Sequence, residues 1–302
     1  MSVRKRTLTR SCNGFNATCC WKVRRRRVLA NKEQTRINHH GKLDLVFEPR
    51  RGYTRMPHVY QQPPLKASRE LYTGKDPTAT VYVMESSGGM VAGDRNDLTI
   101  RLLPDSQARI VQQSALKVYR SHTGVPCIQT IEVEVGARAR MEWMPEVIIP
   151  FADAKFQMDT TIRLAKDATV LWGEIIAPGR EKRGEVFEFE SFKSNMRIYV
   201  EDVLLAMDSI HFVPKRMQLS QMGLLEASLY VGSVWLVSPA VESLDVRELQ
   251  QELKLTNGLR VSMTRLDGNA IHCRFLGTEQ WELQQEMKRV FQQLSSLITN
   301  GV

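Results

Sequence analysis

From about Thr78 to Glu190 apolar residues recur at every second position, in short runs separated by turn signals. The runs are Thr80–Met84, Leu98–Leu102, Ala108–Val111, Ile128–Val135, Ala139–Trp143, Thr160–Leu164, Thr169–Trp172 and Phe187–Phe192, followed by Met196–Val200. An earlier run, Leu43, Leu45 and Phe47, ends at the turn Pro49–Gly52. Alternation places one side of each run on a core and the other toward water, as in a strand. Short strands punctuated by Pro104-Asp105, Gly136, Pro145 and Lys166-Asp167 indicate a mainly β architecture. Sandwich, barrel and coiled β-helix share this pattern. Thr160–Leu164 and Thr169–Trp172 read as neighbours joined by the turn at Lys166-Asp167, and Pro63-Pro64 as an extended crossing.

Two segments break the alternation. Mixed apolar and small residues over 218–230 read as a helix. The apolar stretch Leu224–Val237, broken by Glu226, Ser228, Gly232 and Ser233, reads as its buried continuation. In the C-terminal segment Leu283, Met287, Val290, Phe291, Leu294, Leu297 and Ile298 fall on one stripe of an amphipathic helix. Thr278 suits its N-cap, Glu279 and Glu282 its first turn, and Asn300-Gly301 its end. That stripe is too apolar to stand in water and is expected to dock on the body or on a partner.

Charge divides the chain. The net charge is +9, but 11 of the 42 basic side chains and one of the 33 acidic ones lie in residues 1–36. The remainder holds 31 bases and 32 acids and is nearly neutral. Basicity therefore belongs to a tail over 1–40, expected to be a disordered extension, and the folded part over 41–302 has no field that would gather nucleic acid. Cys12, Cys19 and Cys20 are in the tail and only Cys127 and Cys273 in the body, with no disulfide framework. No apolar run is long enough to cross a bilayer, and the tail lacks the apolar segment of a secretory signal. The chain reads as cytoplasmic.

The chemistry of an enzyme is not evident. The sequence has no H-E-x-x-H, C-x-x-C or EF-hand pattern, no nucleophile elbow and no phosphate loop. His272-Cys273 would face opposite ways on a strand. Gly88-Gly89 through Gly93 is glycine-rich but lacks dinucleotide spacing, and a strand rather than a helix follows at Leu98.

Four segments in order nevertheless carry a resemblance. They are Glu85-Ser86-Ser87-Gly88-Gly89-Met90-Val91-Ala92-Gly93-Asp94-Arg95, Ala115-Leu116-Lys117-Val118-Tyr119-Arg120-Ser121, Pro145-Glu146-Val147-Ile148-Ile149-Pro150-Phe151 and Gly179-Arg180-Glu181-Lys182-Arg183-Gly184-Glu185-Val186-Phe187. Together they resemble the UreD (UreH) family of urease accessory proteins over roughly residues 41–240. Ser86-Ser87 stand where that family more often has proline.

The resemblance implies a β-helix-like body with a few helices and no catalytic activity of its own. It implies partnership with UreF, UreG and the urease apoprotein, a dimer within the accessory complex, and nickel handled in transit with no tightly bound cofactor. It marks Gly88, Gly89, Gly93, Asp94, Arg95, Lys117, Tyr119, Arg120, Glu146, Arg180 and Glu185 as candidate partner or relay residues. Asp94, Glu146 and Glu185 are weak nickel ligand candidates among them. Each has a plainer reading. The glycines need only mean positive φ or close backbone approach. Lys117 and Tyr119 share a strand face, with Arg120 on the other. The acids could cap turns or pair with Arg95, Arg180 or Arg183. A solenoid enzyme or binding module for an acidic polymer is the alternative function.

Overall fold

A computed structural model describes residues 38–266 and 269–300, the side chain of Asn300 excepted. The expectation of a disordered basic tail falls, but for its last three residues, outside the described part.

The first strands are β1 (His40–Arg50), β2 (Tyr53–Gln62), β3 (Leu65–Ala67), β4 (Ala79–Glu85), β5 (Arg95–Leu102) and β6 (Gln107–Gln112). Then come β7 (Leu116–Val118), β8 (Cys127–Val135), β9 (Arg140–Trp143), β10 (Val147–Pro150), β11 (Lys155–Leu164) and β12 (Thr169–Ile176). The last are β13 (Ser191–Val200), β14 (Val203–Phe212), β15 (Tyr230–Val237), β16 (Leu259–Leu266) and β17 (Ala270–Gly277). Helix α1 (Val246–Gln251) precedes β16, and α2 (Gln280–Asn300) ends the described chain.

These strands form two sheets. The first has the order β14-β13-β11-β8-β5-β1-β2; its inner pairs are parallel and each edge is closed by an antiparallel hairpin. The second runs β16-β17-β15-β12-β9-β6-β4-β3, with β10 and β7 paired beside β12. From β4 to β13 the chain passes back and forth between the sheets, adding a parallel strand at each return. The body is therefore a two-sheet β-helix-like coil, as the resemblance implies.

Period 2 holds wherever one strand face meets water. β1 and β11 alternate buried with half-buried residues along most of their length. Their inward side chains, among them Leu45 and Ile162, meet Val81, Ile110 and Trp172 of the second sheet in one apolar layer. A second layer lies on the other face of the second sheet. There Leu171, Val234, Leu236 and Phe275 pack against Met287, Phe291 and Leu294 of α2. The C-terminal stripe thus docks on the body, as one arm of the expectation has it.

Four expectations are corrected. Residues 218–229 are turns rather than helix, and Tyr230–Val237 is strand β15, buried along its whole length. It lies between the two apolar layers, so no face alternates. β11 and β12 do not pair: the turn at Lys166-Asp167 carries the chain from one sheet to the other. Phe187–Phe192 is not a separate strand, because bends run up to Glu190 and one strand, β13, covers the rest. Pro63-Pro64 is a tight turn between β2 and β3, its peptide bond cis. A smaller difference is that α2 starts at Gln280, while the Thr278 hydroxyl turns to the Gly258 carbonyl.

Candidate functional site

Seven of the residues singled out from sequence lie at one rim of the coil. Gly88 and Gly89 form the turn after β4, both with positive φ, 82° and 142°. A Cβ on Gly89 would lie 2.6 Å from the Lys117 carbonyl oxygen and 2.7 Å from the Tyr119 ring, so this turn closes directly onto the end of β7. The Tyr119 hydroxyl donates to the Gly88 carbonyl at 3.3 Å. Tyr119 meets Phe151 edge to face at 4.9 Å, and the Arg180 guanidinium lies over the latter ring at 4.1 Å. Arg180 donates through Nε and Nη2 to the Glu185 carboxylate, which also accepts from the Ala152 N–H at 3.2 Å. Hydrogen bonding from Arg180 holds the Glu185 carboxyl below its ordinary range, with the Ala152 N–H and the Arg120 charge adding to it. Arg120 itself pairs with Asp153 at 3.3 Å. Lys117 and Tyr119 do share a face, both bordering the cleft beside Arg180.

The other candidates stand apart. Asp94 is buried and accepts from the His39 N–H and the Val91 N–H, both at 2.9 Å, closing the turn at Gly93. Gly93 has a φ of 87°. Arg95 pairs with Asp97, which also takes a 2.6 Å contact from His40 on β1. Burial alone would raise the Asp97 carboxyl, but the hydrogen bonds from His40 and Arg95 bring it below its ordinary value. Glu146 is half-buried and accepts from the adjacent Val147 N–H at 3.0 Å. No group of three or more His, Cys, Asp or Glu side chains converges on a metal-sized site among the described residues.

A polar line between the sheets lies outside the residues singled out from sequence. Behind the Gly88 turn is a cavity of about 80 Å³, bordered by Glu85, Asn96, Gln112 and Gln129 among apolar neighbours. Further along the coil Thr160, Ser194, Glu174 and Ser233 are buried between the sheets. Arg274 of β17 donates to Ser233 at 2.9 Å and to Asp208 of β14 at 2.6 Å, tying the ends of the two sheets together. Glu174 is raised to about 7, chiefly by burial and then by the Asp208 charge, with Arg274 opposing. His272 stacks on Trp235 at 3.8 Å, and burial lowers it to about 4. Among the described residues Glu174 Oε2, Thr160 Oγ1, Asn96 Nδ2 and His272 Nε2 have no hydrogen-bond partner. Buried polar atoms are nearly always paired, so these atoms, with the indole nitrogens of Trp172 and Trp235 in the same layer, call for a partner from outside the chain such as water. The available signal was an acid inside the apolar run Val170–Ile176 and an arginine between Cys273 and Phe275.

A family model described as UreD urease accessory protein matches residues 39–301. The chain belongs to the UreD family. A urease accessory protein UreD of Lysinibacillus sphaericus is 57% identical over 263 residues, covering 87% of this chain and 98% of that protein. The Sporosarcina pasteurii protein of the same name is 36% identical over 84% of this chain and all of its own length. That of Halalkalibacterium halodurans is 34% identical over 87% and 96%. Membership places the chain in urease maturation. The family span begins at His39, where the described fold also takes hold and the basic tail is left behind.

Proposed function

We propose that this chain is a non-enzymatic scaffold which, with UreF and UreG, assists the insertion of nickel into the urease apoprotein, in the cytoplasm. Family membership over residues 39–301 carries the reading. The sequence carries no phosphate loop, in keeping with a chain that hydrolyses no nucleotide itself. Cys127 and Cys273 are free thiols, in keeping with a reducing compartment.

The scaffold's part is to offer a divalent ion weak, spaced oxygen and nitrogen ligands that release it again. Two sets of groups are proposed for it. One is the sequence-derived set Asp94, Glu146 and Glu185; Asp94 and Glu185 would have to exchange present hydrogen bonds for the ion. The other is the buried line with Glu174 and His272, whose orphaned atoms are unengaged.

Nickel content of urease matured with D94N, E146Q, E185Q and E174Q separates these sets. A relay residue gives a variant that assembles normally yet yields nickel-poor urease. A purely structural acid lowers stability and leaves nickel content intact. If all four variants assemble and deliver full nickel, the relay through these groups is wrong. Turnover of GTP that follows this chain through purification without UreG would overturn the non-enzymatic reading.

A further inference from the structure

A cleft of about 750 Å³ opens beside the Tyr119–Arg180 line, between β7, β10, the loop 179–183 and the first turn of α2. Ile149, Phe151, Tyr119 and Tyr230 supply apolar and aromatic lining, and Trp281 borders the cleft 60% exposed. Much of the Trp281 surface is left uncovered, and tryptophan is among the residues that contribute most to binding once a partner buries them.

The charges of the cleft are unevenly matched. Glu181 accepts from the Tyr230 hydroxyl at 2.9 Å and from Lys182 at 3.2 Å, and Glu279 lies 3.8 Å from Lys182. Arg180 is taken up by Glu185. Lys117 and Arg183 are left: both border the cleft, both are exposed, and neither side chain has an ion pair or hydrogen bond among the described residues. The cleft thus offers two unmatched cations together with the aromatic side chains of Phe151 and Trp281.

We propose that this cleft docks an acidic segment of a protein partner, an apolar side chain of that segment packing on Trp281 and its carboxylates reaching Lys117 and Arg183. The inference rests on the scaffold reading above. A peptide segment with acidic and apolar side chains uses both the cations and the aromatic lining, whereas a polyphosphate would leave Phe151 and Trp281 uncovered. Complementary charge of this kind acts on the rate of encounter and fades with salt, whereas a buried aromatic anchor acts on the rate of release.

The test uses the full chain with purified UreF, UreG and urease apoprotein as probes, each titrated by calorimetry and by surface-immobilised kinetics. Wild type is expected to bind at least one of them more weakly as salt rises. The pair K117E/R183E is expected to raise that Kd at least about tenfold, mostly through a slower on-rate, and W281A to speed dissociation. The control K66E/R216E makes the same charge change at exposed sites outside the cleft and should bind as wild type. All four positions altered in charge are exposed and Trp281 is 60% exposed, so the variants should fold, which circular dichroism checks. If wild type binds and both cleft variants bind within about twofold of it, the docking inference is wrong and the scaffold reading stands. Should wild type bind none of the three, the scaffold reading fails and takes the inference with it. Quenching of Trp281 by GTP at micromolar concentration would also overturn it, in favour of a nucleotide site.

Discussion

Ser295 of α2 donates a hydrogen bond to Glu142 of β9 at 2.6 Å, joining positions 153 residues apart. Glu142 is 1% exposed and also holds Arg109 at 2.6 Å and Arg140 at 3.0 Å. One buried carboxylate thus fixes the helix to the second sheet. E142A leaves two guanidiniums without their counter-charge and should destabilise the fold by about 3–5 kcal/mol. S295A removes a single bond and should cost about 1 kcal/mol. Urea unfolding of the two variants measures both; a loss under about 1 kcal/mol for E142A would show that the pair is solvated.

The paired glycines after β4 should respond differently to the same substitution. At Gly88 a Cβ meets nothing within 4 Å, so G88A carries only the left-handed backbone strain, about 1 kcal/mol. At Gly89 the methyl would strike the Lys117 carbonyl and the Tyr119 ring, so G89A should cost about 3 kcal/mol or more and disturb the Tyr119–Phe151 contact. Equal melting temperatures for the two variants would contradict the closure of this turn onto β7.

Glu174 makes stability depend on pH. Its folded pKa, near 7, lies above the unfolded value, so the folded state holds the proton more tightly. Stability is full at acid pH, declines as pH rises past the unfolded carboxyl value toward 7, and then levels off. E174Q is neutral throughout and should lack this decline, so its advantage over wild type should grow between roughly pH 5 and pH 8, to a few kcal/mol at most. A difference that stays constant with pH would mean that Arg274 outweighs burial and the Asp208 charge and leaves Glu174 ionised.

Phe291 and Leu294 are each 1% exposed beneath α2. F291D/L294D should therefore fail to give soluble folded protein, rather than give folded protein unable to bind a partner. L294A should fold with a loss of about 2–5 kcal/mol. Recovery of well-folded F291D/L294D with a native melting temperature would mean that α2 can leave the sheet.

The strands that sequence alternation reveals are those with one watered face, such as β1, β8 and β11. β15 escaped because core lies on both of its faces; a continuous apolar run reads equally as a buried helix. Sheet membership was also illegible. The turn at Lys166-Asp167 has the same residues whether it closes a hairpin or carries the chain across the coil. Of the site, the motif segments led to Gly89, Tyr119, Arg180 and Glu185, which do meet. Glu174 and Arg274 lie outside those segments, and a lone charge in an apolar run has no period to betray it.

Covering the second sheet with α2 also sets the order of events during synthesis. The helix follows in the chain every strand that it covers, and until it leaves the ribosome the nascent coil presents Leu171, Val234, Leu236 and Phe275 bare. A stalled or prematurely terminated product would carry that face permanently, making it a target for holdases and proteases. That face is therefore hidden only in a chain whose translation has passed through α2.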